Sequence, residues 1–169
     1  MSLKHDNYIK DRKNVTIFLG EEIKMKLSSI PAVTIQRSAA IKIQARVRGH
    51  QLRNKQLRNK QLLEAAESGD ISEVKNLLDR GADVDAKGNG GLTALHWAVY
   101  HGNLNIVELL LAKGAEVNAT DKYGNRALYL ATKYNHVKAA QLLLAKGAKI
   151  NATNKNGETA LYLATKYNH

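Results

Sequence analysis

The sequence predicts an all-α solenoid, a stack of helix pairs joined by short hairpin loops, and three observations carry that prediction. Residues of one kind recur at a step of 33: Gly91, Gly124 and Gly157 are in phase, as are Leu95, Leu128 and Leu161, and Ala98, Ala131 and Ala164. Whole segments recur too, "LLLAKGA" at 109–115 and 142–148, and "ALYLATKYNH" at 127–136 and 160–169. Within each period an apolar stripe at helical spacing gives way to a loop and a glycine turn, the pattern of two helices and a hairpin. A unit of this kind buries its apolar face only against a neighbour.

The elements are taken in chain order. Residues 1–30 form an N-terminal tail expected to be largely mobile. In it "NVTIFL" (14–19) reads as a short strand and "GEEIKMKL" (20–27) as one or two helical turns. Pro31, the single proline, stands where a helix begins. From Ala32 to Ser68 only Gly49 weakens a helix, so one long helix is expected, about 50 Å at ~1.5 Å per residue. It runs into the repeats and covers their N-terminal end. Ala39, Ala40, Ile43, Val47 and Leu57 fall on one side of it, and Arg48, Arg53, Lys55 and Lys60 largely off that side, which reads as a basic amphipathic helix.

Charge sharpens this. The chain of 169 residues carries a formal +11, yet residues 1–61 hold 14 Lys/Arg against 4 Asp/Glu while residues 62–169 hold 12 against 11. An acidic partner is therefore expected at the N-terminal third. Cysteine is absent, which excludes disulfides and thiolate metal sites. No apolar run is long enough for a signal core or a membrane span, so a cytoplasmic protein is expected.

Two resemblances follow. "GLTALHWAVYHGNLNIVELLLAKGAEVNA" (91–119) resembles an ankyrin repeat, and "RALYLATKYNHVKAAQLLLAKGAKINA" (126–152) is similar. The resemblance implies units at 62–86, 87–119, 120–152 and 153–169, the first without its hairpin and the last truncated. It departs from the family at the Thr-Pro-Leu-His turn, which reads Thr93-Ala94-Leu95-His96, then Arg126-Ala127-Leu128-Tyr129, then Thr159-Ala160-Leu161-Tyr162. Loss of the proline and of the imidazole–threonine bond predicts weaker third and fourth units. Asn135 stands where Gly102 stands one unit earlier, and is expected to take the left-handed conformation there. The last helix, near 160–167, is expected to lack a mate over Leu161, Leu163 and Ala164. That implies a fragment of a longer protein, or a helix that frays or pairs with another copy.

"IQARVRGHQLR" (43–53) resembles the IQ motif, the calmodulin-binding helix, within a 31–61 helix continuous with the first repeat helix. The resemblance implies calmodulin or a calmodulin-like EF-hand protein as partner. It makes Ile43 the apolar anchor, Gln44 a polar clamp, Gly49 the point of close approach, and Arg48 and Arg53 the charge contacts, with Val47 on the same apolar side. The family's late apolar position falls on Gln56, with Leu57 one residue beyond. A solvated helix that only caps the repeats, and binding of anionic lipid or nucleic acid, are the competing readings of residues 39–60. The stretch has no aromatic residue, which argues against base stacking.

The ankyrin resemblance also implies target contacts at hairpin tips and on the exposed side of each first helix. The matching positions are Asn89, Leu92, Tyr100 and His101, then Lys122, Tyr123, Asn125, Lys133 and Tyr134, then Asn156, Glu158, Lys166 and Tyr167. Tyr and Asn at such places give contact area and adaptable hydrogen bonds at low entropy cost. Trp97 is read as packing. Nothing in the sequence builds a catalytic constellation. "GNGG" (88–91) lacks the Lys-Ser/Thr of a phosphate loop, and His96 and His101 are wrongly spaced for a shared metal. No cofactor or metal is expected. The function read from the sequence is a non-catalytic adaptor, with an unknown protein on the repeats and calmodulin on the helix; the alternative is a repeat fragment with no selected partner.

Overall fold

The computed structural model of the protein describes residues 9–10, 16–17 and 32–167, with side chains from residue 36 onward. They fall into two compact units, residues 1–50 and 51–169. In the first, β1 (Ile9–Lys10) pairs antiparallel with β2 (Thr16–Ile17), Ile9 opposite Ile17 and Lys10 opposite Thr16. The strand expected in "NVTIFL" is thus present at Thr16–Ile17. The expected mobility of residues 1–30, the helical turns in "GEEIKMKL" and the role given to Pro31 lie outside the described residues.

A single helix, α1, runs Ala32–Ser68, as the absence of breakers predicts. Its apolar residues do not form one stripe. At about 100° per residue, Ile41 and Leu52 fall about 160° and 180° from Ile43, so the expected amphipathic face is only a local band around Ile43. The physical reason is that two isoleucines two positions apart lie on opposite sides of a helix. From Leu62 onward the helix does have a buried side: Leu62, Ala65 and Ala66 are sealed into the repeat core.

The repeats are helix pairs. After α1 come α2 (Ile71–Asp79), α3 (Ala94–Tyr100), α4 (Leu104–Ala112), α5 (Ala127–Lys133), α6 (Val137–Ala145) and α7 (Ala160–Tyr167). Asp70 caps α2, its carboxylate accepting from the Glu73 N–H at 2.9 Å. Each first helix packs on its own second helix and on the first helix of the next unit, α3 on α4 and α5, and α5 on α6 and α7. The core runs through these contacts as Val74, Leu77, Leu95, Val99, Ile106, Val107, Leu110, Leu128, Ala131 and Leu143. Burying each such leucine contributes about 2 kcal/mol. The difference a mate helix makes is visible in one pair. Leu128 on α5 is 4% exposed, while its equivalent Leu161 on α7, which has no second helix beside it among the described residues, is 64% exposed.

The hairpins stack by backbone hydrogen bonds between units. The Lys122 N–H donates to the Gly90 carbonyl at 2.7 Å, and the Lys155 N–H to the Tyr123 carbonyl at 2.9 Å. Such close approach needs glycine. At Gly124, with φ +80°, an added Cβ would stand 3.1 Å from the Lys155 nitrogen. Asn135 closes α5 with φ 56°, the left-handed conformation expected from its place in the repeat.

Candidate functional site

The IQ-like residues sit on the exposed part of α1. Ile43 is 56% exposed, and Gln44, Val47, Arg48 and Arg53 are exposed as well. Gly49 is half-buried by its small size, yet nothing lies within 4 Å of where a Cβ would be, so its backbone is open to close approach. Further along α1 the basic side chains turn inward on the first repeat. Lys55 Nζ lies 3.6 Å from Asp83 Oδ2, and Asn59 Oδ1 accepts from the Asp83 N–H at 2.8 Å.

On the repeats, the expected contact residues divide into exposed and committed ones. Asn89, Tyr100, His101, Lys122, Tyr123, Lys133, Tyr134, Asn156, Lys166 and Tyr167 are exposed, and Leu92 is half-buried. Tyr100 packs edge-on against Tyr134 with ring centroids 4.7 Å apart, joining neighbouring units. Trp97 stacks on His101 at 6.2 Å and packs against the core, in keeping with a packing role. Tyr134's hydroxyl is pushed above its ordinary pKa, by burial first and then by its hydrogen bond with Tyr100.

Asn125 and Glu158 are placed differently from the other expected contacts. Asn125 donates its side-chain amide to Asp121 Oδ2 at 3.0 Å and accepts from Asn154 Nδ2 at 3.0 Å. Glu158 Oε2 accepts from the Tyr129 hydroxyl at 2.7 Å and from Asn154 Nδ2 at 2.9 Å. Both side chains are thus occupied in tying the third unit to the fourth. Asn154, which the sequence reading did not name, and Tyr129, which it named only as a lost histidine, complete this network. The signal was available: Tyr129 occupies the place of His96. Burial, then the bond to Glu158, pushes the Tyr129 hydroxyl up to about 12. Glu158's carboxyl is held below its usual range by the bonds from Asn154 and Tyr129.

One unit earlier, His96 does two jobs from inside the core. Its Nδ1 accepts from the Thr93 N–H at 3.2 Å and lies 2.8 Å from Thr93 Oγ1. Its Nε2–H donates to the Asn125 carbonyl of the next unit at 3.3 Å. Both require the neutral ring with its proton on Nε2. Burial pushes its pKa below the ordinary value, against smaller opposing effects of the Asn125 carbonyl and Asp121. The unfolded chain therefore binds more protons than the folded one below pH ~6.5. Stability from this group is complete above that pH and is lost as the pH falls through the lowered folded value. Thermal melts should show the midpoint falling on acidification from about pH 7 to 5, with a flatter profile for His96→Gln. Equal pH profiles would contradict the assignment.

Among the described residues no group of three or more His, Asp or Glu side chains is placed to hold a metal ion. No helix among them is long and apolar enough to cross a membrane. No curated protein matches the chain in sequence. The family model for ankyrin repeats (3 copies) matches residues 40–121, 62–154 and 114–169. Together with the 33-residue phase, the stacked hairpins and the helix pairs, these matches show that the chain belongs to the ankyrin-repeat family.

Proposed function

We propose that the protein is a non-catalytic adaptor, in which the ankyrin stack binds a protein target and the 43–53 helix binds calmodulin or a calmodulin-like EF-hand protein. Ankyrin repeats are in general protein–protein interaction modules. The observation that carries the second half is the exposed Ile43 on a continuous helix, flanked by exposed Gln44, Arg48 and Arg53. An isoleucine so placed is accessible to an apolar groove, and the surrounding cations suit an acidic one. The exposed tyrosines and asparagines on the repeats supply the first half.

The test is a native gel of the chain mixed with calmodulin, once with calcium and once with chelator. A retarded complex is expected in at least one condition. Ile43→Asp combined with Arg48→Glu should weaken it by ~100-fold, since it removes an anchor and reverses a charge contact. No complex in either condition, or an equal one with the double variant, overturns the calmodulin half. Binding that falls alike for every polyanion as salt rises would instead favour a nucleic-acid or lipid reading.

A further inference from the structure

The near-neutral total of the repeats hides a division. Residues 62–86 carry 2 Lys/Arg against 7 Asp/Glu, whereas residues 87–169 carry 10 against 4. Part of the surplus is repeated in phase. Lys133 and Lys166 occupy the same position near the ends of α5 and α7, and Lys122 and Lys155 the same position at consecutive hairpin tips. In the second unit these places are Tyr100 and Asn89. All four lysines are exposed, and among the described residues none is in an ion pair.

Three of them lie over aromatic rings. Lys122 Nζ is 4.8 Å from the Tyr123 centroid, Lys133 Nζ is 5.5 Å from that of Tyr134, and Lys166 Nζ is 5.5 Å from that of Tyr162. A ring below an ammonium holds it in place without neutralising it. The nearby carboxylates are otherwise engaged. Asp121 Oδ1 accepts from the Tyr123 and Asn125 N–H groups at 2.8 and 2.9 Å, and Glu158 accepts from Asn154 and Tyr129. Lys133 and Lys166 stand at the same position of neighbouring first helices, α5 and α7, which pack directly on one another. Lys122, Lys133, Lys155 and Lys166 outnumber Asp121 and Glu158, so the third and fourth units keep a positive surplus there.

We infer that the third and fourth units present a face for an extended acidic segment of a partner protein, gripped through Lys133 and Lys166 with Lys122 and Lys155 beside them. The inference rests on the reading of the repeats as a protein-binding stack and adds the chemistry of what they bind. The spacing adds a pattern. Neighbouring helices pack about 8–10 Å apart, and a segment in the polyproline-II conformation advances about 3.1 Å per residue with three residues per turn, so that every third side chain points the same way. One rung of lysines therefore meets an acidic residue about every third position. The tyrosines beside the lysines cover the apolar parts of the segment between its acids.

The probes are fluorescein-labelled peptides of about 12 residues with Glu at every third position, the same peptide with Gln for Glu, and one of equal composition with its Glu residues clustered at one end. Anisotropy with the full chain is expected to show binding of the phased Glu peptide, weakened by added salt. It should be lowered ~10-fold or more by Lys133→Glu with Lys166→Glu. Lys138→Glu with Lys146→Glu, on α6 and at its C-terminal cap, and Lys42→Glu with Arg46→Glu, on α1, should leave it unchanged. Circular dichroism checks that each variant is folded. No binding, equal binding of the Gln or clustered peptide, or a loss caused only by the α1 variant overturns the inference. The calmodulin gel shift is read on the same variants. Its persistence where peptide binding fails separates an error in this inference from an error in the adaptor reading.

Discussion

Replacing Leu110 with Ala should lower the unfolding free energy by about 3 kcal/mol, within the range of ~2–5 kcal/mol for buried leucines. Leu110 is fully buried on α4, a helix that packs against α3 of its own unit, α2 before it and α6 after it. Truncation removes transfer energy and leaves a cavity that three helices would have to close. Their spacing is held by the other side chains along each contact, so collapse is incomplete. Urea unfolding checks this as a shift in midpoint at unchanged slope. Leu144→Ala, at a position 41% exposed on α6, is the comparison and should change stability by ~1 kcal/mol or less. Equal losses at the two sites would show that the core is not organised around α4.

Gly124→Val should destabilise the chain more than Gly157→Val by about 2 kcal/mol or more. The two glycines share the left-handed conformation, φ +80° and +77°, so the cost of placing a β-branched residue there is common to both. They differ in surroundings. A Cβ at Gly124 meets the Lys155 nitrogen at 3.1 Å and the Asn154 carbonyl carbon at 3.4 Å, while at Gly157 nothing lies within 4 Å. Those atoms are backbone and cannot rotate away. Relief requires the fourth hairpin to lift, which breaks the bond from the Lys155 N–H to the Tyr123 carbonyl. Thermal melts of the two variants isolate this term, and equal melting temperatures would show that the hairpins do not touch closely.

Much of this was legible in the residues. The 33-residue phase located the helix pairs, and the last helix, expected near 160–167, is Ala160–Tyr167. The phase works because every unit buries the same positions against the same neighbours. The left-handed Asn135 followed from its alignment with Gly102, since both end a helix at the same point. What was not legible lies between units. Sequence shows that Tyr129 has lost the histidine's bond to a capping threonine. It does not show that the longer side chain reaches Glu158, 29 residues away. Asn125 and Glu158 look like surface contacts for the same reason: their phase is that of hairpin tips, and only coordinates show them bonded to Asn154. The band around Ile43 is not a full stripe, because Ile41 and Leu52 stand on the opposite side of the helix and are exposed there.

The exchange of histidine for tyrosine changes how neighbouring units share their fate. His96 supports both its own helix start and the next unit, whereas Tyr129 spends its hydroxyl only across the boundary. In nearest-neighbour language, part of the third unit's intrinsic energy has been moved into a coupling energy. The third unit is then expected to depend more on its neighbour than the second does, because less of its stability is held within itself.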